Sequence, residues 1–105
     1  MIVCIVARRI WTHGLGGMEE HSRNAAIELV RQGHTVHVLT TAHPDGRAEE
    51  TAYGASLHYL RATPPGDYSR AWWRESRRWA DAHFARLGIE AVLSMSAAAG
   101  GLVGL

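Results

Sequence analysis

Gly14, Gly16 and Gly17, with His13 before them and Glu19 after, are the residues whose types and spacing could do chemistry in this chain. Three glycines in four positions mark a backbone that bends sharply or lets something approach closely. They follow an apolar run, Ile2 to Ala7, and precede a segment of helical period from Met18. A strand, a glycine loop and a helix N-terminus together form an anion site. Small residues bare the backbone amides, and the first helical turn carries unpaired N–H groups and partial positive charge. The ligand this implies is a phosphate or diphosphate. The competing reading is a tight connection that binds nothing. Arg8, Arg9 and His13 fall beyond the end of the first predicted strand, and Ser94 and Ser96 beyond the end of the last. Open α/β sheets bind ligands there. His13 is then a donor to substrate oxygens or an exposed loop histidine, and Ser96 a cleft residue or a helix cap.

Other chemistries fit less well. All eleven basic residues are arginine, which excludes a Walker-type loop, since that motif needs Gly-Lys-Ser/Thr. A dinucleotide fingerprint is disfavoured. Gly14-Leu15-Gly16-Gly17-Met18-Glu19 places Glu19 where glycine or alanine is wanted, and Leu39-Thr40-Thr41 offers no acid to a ribose. The seven histidines show no metal-ligand spacing, and His34 and His37 fall on opposite faces of a strand start. No Gly-x-Ser-x-Gly elbow occurs. Cys4, the single cysteine, lies in a predicted strand, where a buried inert thiol is expected.

The elements that must position these residues alternate. Ile2–Ala7 reads as a strand buried on both faces. Met18, Ser22, Ala25, Ala26 and Leu29 form one face of a helix that Gly33 stops, with Ile27 an exception on the polar side. Strands are expected at 35–40, 56–60 and 89–93, with a loop from Thr41 to Glu50. Between Tyr68 and Leu87 a second helix places Trp72, Ser76, Trp79, Ala80, His83 and Phe84 on one face. Asp67 would cap it and Gly88 stop it. Its arginines share another face, read as solvated rather than lipid-bound despite the nearby tryptophans. Ala97–Leu105 looks like the start of a helix. Alternating strands and helices imply an open, Rossmann-like parallel sheet of about four strands with flanking helices.

Composition sets the bounds. At 105 residues, 47% hydrophobic and 20% charged, the chain suits one small soluble domain. A net charge of +1 gives no reason to expect nucleic acid. No export signal is visible and no run approaches the roughly 20 apolar residues of a membrane span, so a cytoplasmic location is expected.

Gly16-Gly17-Met18-Glu19, then Arg31-Gln32-Gly33-His34 and Thr35-Val36-His37-Val38-Leu39-Thr40, follow the first strand in an order that resembles one family. It is the N-terminal domain of the group 1 (family 4) glycosyltransferases of GT-B fold. Ala91 to Ala97 resembles their later strand and loop. The resemblance is clearest over residues 1–40 and looser from 41 to 88. It implies retaining transfer of a sugar from a nucleotide donor to an acceptor held mainly by this domain, with no metal or other cofactor. Carried over, Gly16 and Gly17 would present amides to the donor diphosphate, with His13 and Glu19 beside them. Ser94 or Ser96 stands where the family often has histidine. The nucleotide pocket and the E-x7-E carboxylates of the C-terminal domain are not among these residues, so the fragment alone is expected to be inactive. Its partners would be donor, acceptor, that second domain and other copies of itself. The alternative is a non-enzymatic anion-binding or interaction module; a dinucleotide-binding or flavodoxin-like domain ranks third.

Overall fold

The computed structural model describes residues 1–102. The first strand, β1 (Ile2–Val6), is central. Cys4, Ile5 and Val6 are all inaccessible to solvent, which is why the strand is continuously apolar rather than alternating. β2 (Thr35–Thr41) and β5 (Ala91–Ser94) flank it in parallel, with Val6 opposite Leu39 on one side and Ser94 on the other. β4 (Ala55–Leu60) adds in parallel to β2. With β3 (Glu49–Ala52) outermost beside β4, the order is β3-β4-β2-β1-β5.

β3 (Glu49–Ala52) lies within and just beyond the expected loop, antiparallel to β4. Its sequence, Glu-Glu-Thr-Ala, hides it because an outer strand buries little and carries charge to blunt its open edge. The hairpin turn is Tyr53-Gly54, both at positive φ (52° and 80°), the two-residue connection whose twist suits paired strands.

The helices are the crossovers, one on each face. α1 (Gly17–Arg31) lays Ala26 over Ile5, Val36, Val38 and Leu57, while α2 (Arg70–Leu87) lays Trp72 and Ala80 over Cys4, Val6, Leu39 and Leu60. The glycine stops act as expected. After α1, Gly33 N–H donates to Val30 O and His34 N–H to Leu29 O; after α2, Gly88 and Ile89 repeat the pattern on Ala85 and Phe84. Both glycines sit at positive φ, the left-handed ending that glycine adopts most readily. The start of α2 differs from expectation. Ser69, not Asp67, is the cap, its Oγ accepting from Trp72 N at 2.9 Å.

The expected helix from Ala97 is instead a turn followed by a short 3-10 segment, Gly100–Leu102; Val103–Leu105 lie outside the described residues. Gly100 and Gly101 pack against α2 so closely that a Cβ on Gly101 would stand 2.9 Å from Trp73 O. The arginine face of α2 carries its own counter-ions: Arg74 and Arg78 approach Glu75 at 3.7 and 3.5 Å, and Arg77 approaches Asp81 at 3.3 Å. No helix among the described residues is long and apolar enough to cross a membrane.

The two sheet edges are unlike. β3 closes one with charge. On the other, β5 pairs only with β1 among the described residues, and its Val92 and Leu93 are 44% and 40% exposed. Beside it an apolar hollow of about 800 Å³ is lined by Phe84, Ile89, Ala91 and Leu102. An open apolar edge is a template for pairing. We expect concentration-dependent self-association of the chain in light scattering, reduced by Leu93→Lys. A monomer at the highest attainable concentration is the opposing result.

Candidate functional site

The strand order reverses at β1, since α1 leads to a strand on one side and α2 to a strand on the other. The crevice beyond the carboxyl ends of β1 and β5 is the usual ligand position in such a sheet. The loop from Arg8 to Gly16 leaves the end of β1, and the turn at Ser94–Ser96 leaves the end of β5.

Thr41, at the end of β2, ties this region together. Its Oγ donates to Arg8 O at 2.6 Å and accepts from Gly66 N–H at 2.7 Å and from His13 Nε2 at 3.1 Å. One donor and two lone pairs are all a hydroxyl has, and all are used. Thr41 is fully buried. Ile10, equally buried, anchors the middle of the glycine loop. One turn further, His13 Nδ1 accepts from Ile10 N–H at 3.0 Å, so the proton is on Nε2, within 3.0 Å of Ala42 O. That tautomer follows from the hydrogen-bond network. Burial, first, and then the charge of Arg9 hold His13 below its ordinary pKa against the raising effect of its Ala42 bond. A neutral His13 with both nitrogens engaged shapes the loop.

The two arginines after β1 have different duties. Arg8 Nη1 donates to Gly66 O at 2.7 Å and its guanidinium lies 5.2 Å from the Tyr68 ring centroid, bracing the loop that precedes α2. Arg9 lies in the mouth of the glycine loop. Its Nε is 3.8 Å from Glu19 Oε1, and a Cβ on Gly14 or Gly66 would come within 2.9 or 2.6 Å of its guanidinium. Gly66 is also at φ +77°, so this position excludes side chains twice over.

Gly16 precedes the first turn of α1, and no side chain caps that end. A Cβ on Gly16 would lie 2.3 Å from Glu19 Oε2; Glu19, 8% exposed, tucks its carboxylate beside the helix start, where the dipole favours it. Gly17 is different. A Cβ there would meet nothing within 4 Å, so crowding inside the protein does not explain this glycine.

Across the crevice, Ser94 Oγ donates to Ser96 O at 2.9 Å and accepts from Ala99 N–H at 3.0 Å. Ser94, rather than Ser96, holds the turn; Ser96 is exposed with φ +60°. The fold thus gathers Arg8, Arg9, His13, Gly16, Gly17 and Glu19 on one side and places Ser94 and Ser96 one strand away. Sequence reasoning missed Thr41 and Gly66. Nothing near a threonine at a strand end announces that three chain segments will converge on it.

The family model for Glycosyltransferase Family 4 matches residues 15–105, from the glycine loop through both helices and β5. No curated protein and no solved structure matches the chain. The doubly wound sheet, the uncapped glycine start of α1 at its switch point and this match together place the chain in glycosyltransferase family 4.

Proposed function

We propose that this domain serves in a retaining, nucleotide-sugar-dependent glycosyltransferase, presenting the amides of Gly16 and Gly17 to the donor diphosphate and holding the acceptor. A second, nucleotide-binding domain completes the cleft, the transfer uses no metal or other cofactor, and the enzyme works in the cytoplasm. One observation carries the reading: no side chain caps the start of α1, and a Cβ on Gly17 would meet nothing within 4 Å among the described residues. Backbone amides and the helix dipole there favour an oxyanion. In the transition state the leaving diphosphate gains charge, and fixed donors aimed at it lower the barrier. Arg9, loosely paired with Glu19, can turn to the same anion. His13, Arg8 and Ser94 keep the crevice in shape, leaving Glu19 and Ser96 at its rim.

The test separates packing from binding at one position. Gly17→Ala should leave the fold intact and stabilise it by up to about 1 kcal/mol, because alanine is the better helix residue. UDP, GDP and ADP would be titrated into the chain and followed by the amide NMR signals of Gly16 and Gly17. At least one should bind, and the substitution should weaken it on the order of tenfold, equivalent to about 1.4 kcal/mol. Binding that alanine does not affect would place the diphosphate elsewhere. No shift of the Gly16 and Gly17 signals with any of the three would mean that this loop does not hold the diphosphate.

A further inference from the structure

On the α2 face the sheet is apolar over β1 but polar further out, where His37 of β2, His58 of β4 and Glu49 of β3 lie. His37 Nδ1 and His58 Nε2 are 3.0 Å apart, with ring centroids 5.2 Å apart and planes 25° from parallel. These values describe nearly coplanar rings sharing one in-line proton. Trp79 of α2 covers His58 at 4.8 Å and meets His83 at 4.7 Å, tilted by 45° and 42°. Here the helix leaves the sheet and a cavity of about 470 Å³ opens, lined by Glu49, His58, Trp79, His83 and Arg86.

We infer that this cavity is a saccharide subsite outside the catalytic crevice. Its lining carries charge of both signs. Glu49 is 75% exposed and its nearest partner, His58 Nδ1, is 3.8 Å away, too far for a hydrogen bond. Arg86, in the same lining, donates to His83 Nδ1, and a guanidinium has five N–H groups. A bound anion would face Glu49 and a cation Arg86. A neutral polyol satisfies both, with one hydroxyl donating to the carboxylate and another accepting from the guanidinium. The ring C–H face would meet the aromatic side chains of the lining, Trp79 first. A half-polar pocket of this volume accommodates one sugar unit. The choice of a sugar ring over other neutral polyols rests on the glycosyltransferase reading; the subsite would hold a distal unit of a glycan acceptor.

The experiment follows the Trp79 indole and the His58 and His83 ring signals by NMR. Methyl glucoside, mannoside, galactoside and N-acetylglucosaminide are titrated in turn to about 100 mM, high enough for millimolar affinity. At least one should shift these signals saturably, and Glu49→Gln and Arg86→Met should each weaken it at least about fivefold. Both residues sit on the surface, and unchanged signals elsewhere would show that the variants fold. No saturable shift with any of the four overturns the inference, as do equal shifts in both variants or the same shifts with sorbitol. Nucleoside diphosphate binding is read from different residues, so a silent glycine loop beside a responsive Trp79 would count against the transferase reading alone.

Discussion

Thr41→Val is expected to destabilise the domain by about 2–4 kcal/mol, since it strands the buried Gly66 amide and the half-buried Arg8 carbonyl, at about 1–3 kcal/mol for a fully buried group and less for the other. His13 keeps Ala42 O as an acceptor and adds less. For a domain of this size the whole stability is about 5–15 kcal/mol, so the melting temperature should fall by roughly 10–25 °C. Thr41→Ser keeps the hydroxyl and loses one methyl group, for about 1 kcal/mol. The difference between the two variants isolates the three-way hydrogen bond. If serine proves as harmful as valine, packing around the methyl group dominates and the hub is incidental. Thr41 touches both the glycine loop and the loop before α2, so valine should also broaden the amide signals of residues 8–16 and 64–68 together.

Acid should destabilise the fold well above the range in which carboxylates titrate. Burial, then the neighbouring His37 charge, brings His58 down to about 4, while Glu49 pulls the other way and His83 adds to the fall. Burial also lowers His37 and is the leading cause for His13. Depressed histidines bind protons more readily in the unfolded chain, so stability is complete above the unfolded pKa of about 6.5 and declines below it. For His58 the decline continues to about pH 4, where the folded state takes up the proton as well. Solvent still reaches that ring, so its share is on the order of 1–2 kcal/mol, below what the full shift would give. Urea denaturation at pH 7.5, 6.5, 5.5 and 4.5 would measure it. His58→Gln can still hydrogen-bond His37 but cannot take the proton, and it should flatten the profile above pH 5. A wild-type profile flat from 7.5 to 5 would show that the pair is more open to water than its packing implies.

Local signals carried over into the fold faithfully. The apolar run at Ile2–Ala7, the small face of α1, the glycines after both helices and the tryptophan face of α2 each reflect a contact that recurs at fixed spacing, so one stretch of sequence reveals it. What escaped was assembled from distant pieces. β3 pairs on one side only and buries little, and so has no apolar pattern to read. His37 and His58 lie 21 residues apart and meet only because β2 and β4 are neighbours; in sequence they look scattered. His13 seemed available because it stands beside three glycines, yet its partners, Ile10 and Ala42, place it within the loop's own framework. The glycines divide in the same way. Gly16 is explained by Glu19 and Gly66 by Arg9, whereas Gly17 has no neighbour to explain it, and that difference appears only in three dimensions.

Cys4 gives the domain a built-in clock. Its thiol is inaccessible to solvent and burial raises its pKa to about 12, so almost no thiolate exists at neutral pH and no reagent can reach it without opening of the sheet. β1 lies between β2 and β5, and exposing its side chain means parting the centre of the molecule. The rate at which an aromatic disulfide reagent labels the native protein therefore reports global opening, with no denaturant and no added probe. The same inertness leaves the surface free for a chosen reporter: a cysteine introduced near Gly17 or Glu49 would be modified selectively while Cys4 stays silent.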